Sequence, residues 1–156
     1  MNHTFFDYSC HVSSEWVDYN GHMNDAEYAK VFSLALDKWI EEIGLDAKAR
    51  EHYNYTIFTL ETHLCYLQEA HEKEKLTVNL QLLDIDAKRV HAIFLMNNQN
   101  GQLIATSEQM LMGMDTTINR PAPFPETINE KISALYKHHE RLECPKQAGR
   151  TIGIKR

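Results

Sequence analysis

One run constrains this chain more than any other: residues 16–44, WVDYNGHMNDAEYAKVFSLALDKWIEEIG. Tyr28, Val31, Phe32, Ala35, Leu36, Trp39 and Ile43 recur at the i, i+3, i+4, i+7 spacing of one helix face. Glu27, Lys30, Asp37 and Glu41 fall on the other side, and Glu42 breaks the pattern only in the last turn, where a side chain can reach water. Asn24 suits an N-cap, and Glu27 three residues later gives the spacing of a capping box. Gly44 can take the left-handed conformation that ends a helix. The spacing predicts one helix over residues 24–43, about 30 Å long. A stripe with aromatics this large has to be covered, and the rest of the chain must supply the cover.

That cover reads as strands. Residues 5–17 alternate loosely and predict a first strand, and 45–51 a polar, helical connection. Residues 53–67 are rich in Tyr, Thr, Ile and Phe, which favour strands. Phe58, Leu60, Leu64 and Tyr66 predict the apolar face of that strand; Thr59, Glu61 and His63 predict its polar face. Residues 70–75 read as a charged turn. Leu76, Val78, Leu80 and Leu82 share one face of a strand over 76–85, followed by a polar turn at 84–88 and a strand over 90–96. Asn97-Asn98-Gln99-Asn100-Gly101 is a hairpin loop leading to a strand over 103–114. Successive strand–turn–strand units predict an antiparallel meander. Asn119 to Pro125 reads as a rigid extended linker. A weaker helix over 126–142 (Ile128, Ile132, Leu135, Tyr136) and a patternless basic tail over 143–156 follow. The class is α+β: a sheet wrapped around one long helix, in a single domain over 1–156.

Composition narrows the function. The 156 residues are 43% apolar, enough for a core without a staple. The net charge of −6, with no basic cluster, argues against nucleic acid as a partner, although local Lys and Arg could hold a small anion. Cys10, Cys65 and Cys144 lack C-x-x-C spacing, which predicts reduced thiols and neither a disulfide framework nor a zinc ribbon. Nine histidines form no H-E-x-x-H motif, so metal catalysis is not expected. The start is not that of a signal peptide, and no apolar run approaches the ~20 residues of a membrane span. A soluble, cytoplasmic protein is expected.

The chemistry concentrates in Val-Asp-Tyr-Asn-Gly-His-Met-Asn, just before the helix. A helix N-terminus offers unpaired N–H groups and a partial positive charge, and Asp18 and His22 lie within one loop of it. Read locally, Asn20-Gly21 makes a turn, Asp18 bonds backbone and His22 is solvated. The run D-x-N-G-H-M-N-x-x-x-Y before a long striped helix also resembles the hot-dog-fold acyl-CoA thioesterases of the 4-hydroxybenzoyl-CoA thioesterase lineage. ETHLCYLQEA, KRVHAIF, ATSEQM, RPAPFP and AGRTIGI resemble the betainyl-CoA thioesterases of carnitine breakdown. These segments span most of residues 15–154.

The resemblance implies a hot-dog fold and a homodimer or higher oligomer, with active sites at the subunit interface and no cofactor beyond the coenzyme A of the substrate. Asp18, ten residues before Tyr28, would be the nucleophile or the general base. The backbone N–H of Asp25 would hold the oxyanion. Burial beside Trp16, Val17 and Met23 would make Asp18 a stronger base. His22 would orient Asp18, bind substrate or pair with backbone. Asn20 and Asn24 would shape the loop and offer amides to a ligand. Glu61 and His63 are either solvated or approach the neighbouring subunit's site. Lys88, Arg89, Arg120 and Arg150 are either turn charges or contacts for the phosphates of coenzyme A. Tyr8, Trp16, Tyr19 and Tyr66 are acyl-pocket or core aromatics, and Trp16, Tyr19 and Glu61 could cage a quaternary ammonium. Two other functions fit this reading: a silent acyl-CoA-binding protein, and a thioesterase acting on acyl carrier protein.

Overall fold

The computed structural model describes residues 6–156, and its centre is the expected helix. α1 runs Asp25–Glu42, with Asn24 at the N-cap and Ile43 at the C-cap. All seven stripe residues are buried, and Ile40 joins them. Gly44 follows at φ +101°, where a side chain would be strained and would press on Ile128 and Lys131. The N-terminal cap differs from the expectation, because the Asn24 side chain makes no cap hydrogen bond. Its backbone N–H donates to Trp16 O at 2.9 Å instead. Asp25 Oδ1 accepts the Ala26 N–H at 3.0 Å. Glu27 does not complete a capping box; its Oε2 is buried without a partner among the described residues. Contact with the preceding loop replaces the local cap.

The strands are β1 Asp7–His11, β2 Tyr55–Tyr66, β3 Lys75–Ile85, β4 Arg89–Asn97, β5 Leu103–Asp115 and β6 Arg120–Pro121, with helices α2 Ala47–Tyr53 and α3 Glu126–His139. The sheet order is β1-β3-β4-β5-β2, with β6 paired to β5, and every pairing is antiparallel. This is the expected sheet around α1, with Leu76, Val78, Leu80 and Leu82 in the core. The first strand is shorter than its alternation suggested. Ser13 accepts the Glu15 N–H and starts a 3₁₀ turn, Ser14–Trp16; Phe5 lies outside the described residues.

Two features depart from a plain meander. β3, β4 and β5 are consecutive neighbours, but β2 pairs with β5 at the far edge. Residues 67–74 are therefore a crossover and not a hairpin turn. They pass the N-terminal end of α1, where the Tyr28 hydroxyl donates to Gln68 O at 3.4 Å and accepts the Ala70 N–H at 3.0 Å. The second departure is a bulge at Leu60, between the pairs Thr59–Leu111 and Glu61–Met110. Before the bulge, Tyr55 and Ile57 face the core; after it, Thr62, Leu64 and Tyr66 share the face of Gln109, Ser107 and Ala105. The even-numbered apolar face expected for this strand is thus real only beyond the bulge, and Phe58 and Leu60 are exposed.

α3 packs on β3 and buries Ile128 and Ile132. It stops at His139, whose Nδ1 accepts the Leu82 N–H at 2.9 Å, a few residues short of the expected end. The tail is not patternless. Gln81 Nε2 donates to Glu143 O at 3.2 Å, Gln147 is buried, and the Gly149 N–H donates to Glu108 Oε1 at 2.8 Å. It lies against the sheet face turned away from α1.

Gly113 has a specific packing role in β5. The Tyr55 hydroxyl crosses it to donate to Ala122 O at 2.7 Å, and a Cβ at Gly113 would collide with that hydroxyl. Burial also pushes the Tyr55 phenol above its ordinary pKa. Gly113→Ala is expected to displace Tyr55 and cost about 1–3 kcal/mol. Urea unfolding should show a lower midpoint with an unchanged slope; an unchanged midpoint would mean that Tyr55 moves aside freely.

Candidate active site

The loop before α1 is a closed hairpin. Val17 and Met23 form a bridge pair, the Asp18 N–H donates to His22 O at 2.9 Å, and the Gly21 N–H donates to Asp18 O at 2.9 Å. Gly21 sits at φ +77°, a conformation this turn demands and glycine supplies freely. Asp18 Oδ1 accepts the N–H groups of Asn20 at 2.8 Å and His22 at 3.2 Å. Among the described residues, no hydrogen bond claims Oδ2. The local reading and the catalytic one are therefore compatible: one oxygen holds the loop and the other faces outward. Met23 is buried, but Asp18 is exposed, so the burial expected to strengthen it as a base is not built within one chain.

The N-terminal end of α1 supplies the complementary half. Ala26's amide is taken by Asp25 Oδ1, and Glu27's donates to Asn24 O at 3.0 Å. Asp25's own N–H is unclaimed among the described residues, in the part of a helix where charge development on an oxygen is stabilised. A cavity of about 290 Å³ lies here, lined by Met23, Asp25, Tyr28, Tyr66, Gln68 and Glu69 among others. Tyr66 stands edge-on to Tyr28, with centroids 5.2 Å apart, and its hydroxyl donates to Asp25 O at 3.3 Å. His22 turns its ring to Glu69, with Nδ1 to Oε2 at 2.9 Å, and packs edge-on against His71. It therefore meets Asp18 through its backbone N–H, not its imidazole. Glu69 is a partner that no local pattern in the sequence singles out.

A model of the thioesterase-like superfamily matches residues 12–132. The chain belongs to that superfamily. It is 41% identical to a betainyl-CoA thioesterase of Pseudomonas aeruginosa over 99% of this chain and 98% of that one. It is 36% identical to an L-carnitine dehydrogenase/betainyl-CoA thioesterase of Rhizobium meliloti, covering 93% of this chain but only 29% of that longer protein. Among solved structures, a Staphylococcus aureus protein in complex with CoA superposes with a TM-score of 0.92 at 36% identity, over 97% of this chain and 96% of that one. A 1,4-dihydroxy-2-naphthoyl-CoA thioesterase from Synechocystis shares the fold, with a TM-score of 0.73 at 18% identity over 84% of this chain and 97% of that one. The protein is a hot-dog thioester hydrolase.

Other expected residues of this thioesterase lie apart from Asp18. Glu61 and His63 line a cavity of about 460 Å³ on the sheet face away from α1, with His91, Glu108, Gly149 and Arg150 among its walls. Glu108 is fully engaged there: Oε2 meets His91 Nε2 at 2.7 Å and Oε1 accepts the Gly149 N–H. Arg150 is the one basic candidate in that cavity. Arg89 is held by Asp86 through Nε at 2.7 Å and Nη2 at 2.6 Å. The Arg89 guanidinium also holds the Asp86 carboxyl below its usual range. Lys88 lies in the same turn, and Arg120 begins β6, in backbone register with Asp115 of β5.

The cage expected of Trp16, Tyr19 and Glu61 is not assembled within one chain. Lys30 Nζ already stands 5.3 Å from the Trp16 ring centroid, Tyr19 is 97% exposed, and Glu61 is on the outer face. Tyr8 is on β1, at the opposite edge of the sheet from β2. Asn20 and Asn24 are exposed beside Asp18, and both contribute backbone hydrogen bonds that shape this loop.

Proposed function

We propose that this thioesterase hydrolyses betainyl-CoA to betaine and coenzyme A, as a cytoplasmic homodimer with Asp18 at its catalytic centre. The observation that carries the reading is the pairing of a carboxylate held by one oxygen with the unclaimed Asp25 amide at the helix start. As general base, Asp18 Oδ2 takes a proton from water, and the resulting hydroxide attacks the thioester carbonyl. The developing oxyanion lies on the Asp25 N–H. Collapse breaks the C–S bond, and the departing thiolate takes up a proton. As nucleophile, Asp18 would form an anhydride that water then opens; rapid-quench detection of an acyl group carried on Asp18 separates the two routes. No serine–histidine machinery is needed, because a thiolate leaves far more readily than an amine.

The dimer reading rests on β2. It is a 12-residue edge strand with Phe58, Leu60 and Tyr66 exposed, and long bare edges are a liability. A second copy pairing there would cover the edge. No described helix is long and apolar enough to cross a membrane. The substrate reading rests on the similarity to proteins named for betainyl-CoA. The test is free-thiol release from betainyl-CoA against its neutral isostere, 3,3-dimethylbutyryl-CoA, with sedimentation run in parallel. A kcat/KM at least about tenfold higher for the cation is expected. Equal rates would leave a generic short-chain thioesterase.

A further inference from the structure

Two cavities lie along α1 and β2. The first, at the start of the helix, has Asp25 and Tyr66 in its wall; the second has Ala29 and Ser33 on the helix and Leu64, Thr62 and Thr59 on the strand. The second, about 380 Å³, sets polar side chains in a mostly apolar wall. Ser33, Thr59, Thr62, Ser107 and Gln109 line it beside Phe32, Leu36 and Leu64. Gln109 is 5% exposed; its Nε2 donates to Ser107 Oγ at 3.0 Å, and its Oε1 is buried with no partner among the described residues. A buried carbonyl left unpaired costs about 1–3 kcal/mol, so this orphan acceptor favours a ligand that brings positive charge to it.

The distances suit a short acyl group. Ser107 pairs with Leu64, two residues from Tyr66, or about 7 Å along a strand. Gln109 pairs with Thr62, two residues farther on, and its amide is turned back to that level by the Nε2 bond to Ser107. A thioester carbonyl on the Asp25 N–H would therefore send a short acyl chain towards the Gln109 carbonyl.

We propose that Gln109 is a specificity-determining residue, its side-chain carbonyl receiving the cationic end of a short acyl group. This rests on the thioesterase reading with Asp18 and Asp25 at the thioester. A quaternary ammonium cannot donate a conventional hydrogen bond, but its methyl groups carry the positive charge outward and pack against carbonyl and hydroxyl oxygens. The neutral Gln109 supplies that oxygen without the desolvation cost of a buried carboxylate.

The experiment measures kcat/KM for Gln109→Leu and Gln109→Glu on four esters: betainyl-CoA, β-alanyl-CoA with a protonated amine, neutral 3,3-dimethylbutyryl-CoA and anionic succinyl-CoA. Gln109→Leu should lower the rate on the two cations on the order of tenfold and spare the neutral ester. Gln109→Glu should raise the ratio of cation to neutral. Circular dichroism and sedimentation check each variant; if the leucine variant does not fold, the near-isosteric glutamate variant decides alone. Equal changes on all esters, or no change, overturn the proposal. So does a loss confined to succinyl-CoA, which would mean that the amide presents its N–H₂ group. If the wild type shows no preference for betaine yet the variants shift β-alanyl against neutral ester, the substrate reading fails and the role of Gln109 stands.

Discussion

Asp18→Asn is expected to lower turnover at least ~100-fold on a good acyl-CoA substrate while leaving the fold and thermal midpoint nearly unchanged. The reason is the division of labour within one carboxylate. Oδ1 accepts the N–H groups of Asn20 and His22, and an asparagine carbonyl can do the same. Oδ2, the oxygen left to act, becomes an amide nitrogen that can neither take a proton nor attack a carbonyl. Asp18→Ala should differ, because it removes the acceptor for both N–H groups and loosens the hairpin as well. His22→Ala should cost less than either, since its backbone N–H still reaches Oδ1 and only the ring contacts with Glu69 and His71 are lost. Steady-state thiol release and thermal melts on the three variants separate these effects. Near-normal turnover in the asparagine variant would make Asp18 a loop residue and return the catalytic role to another group.

The legibility of the fold depended on how far one period ran without interruption. α1 was readable because its stripe holds a single 3.6-residue period from Tyr28 to Ile43, and each of those residues is buried. β3 was readable for the same reason, from Leu76 to Leu82. β2 was not, because the bulge at Leu60 exchanges its two faces midway. A period counted across a bulge averages two opposite patterns. The crossover at 67–74 was hidden for a different reason: a charged turn and a charged crossover have the same composition. Only the contacts of Gln68 and Ala70 with Tyr28 tell them apart.

The site was legible where its geometry is local. Asp18, Asn20, Gly21 and His22 interact within five residues, and their types state the turn. The amide of Asp25 is local as well. Glu69 was missed because it reaches His22 from the crossover, forty-odd residues later. Gln109 and Ser107 had a usable signal: they occupy alternate positions with Ala105, Leu111 and Gly113 on the core face of β5. Polar residues in core register are the exception that marks a site. The partner of Arg89 also had a signal, since Asp86 stands three positions before it.

The second large effect concerns stability alone. Trp39 is 2% exposed and among the largest fully enclosed side chains of the core. Trp39→Ala should cost about 3–5 kcal/mol, through lost transfer energy and the cavity left beneath the sheet. For a chain of this size the thermal midpoint should fall by roughly 8–20 °C. The position makes the measurement discriminating. Trp39 lies fourteen residues after Asp25, about 21 Å along the helix axis, so its removal empties the far end of the core and not the end proposed to be catalytic. Assayed well below its midpoint, the variant should therefore keep a kcat within a few-fold of wild type. A kcat that falls as steeply as Asp18→Asn, with the helix signal intact, would mean that the Asp25 amide is positioned by the whole core and not by the loop hydrogen bonds of Trp16 and Asn24. A midpoint that hardly moves would mean that α1 is not clasped by the sheet as its buried stripe requires.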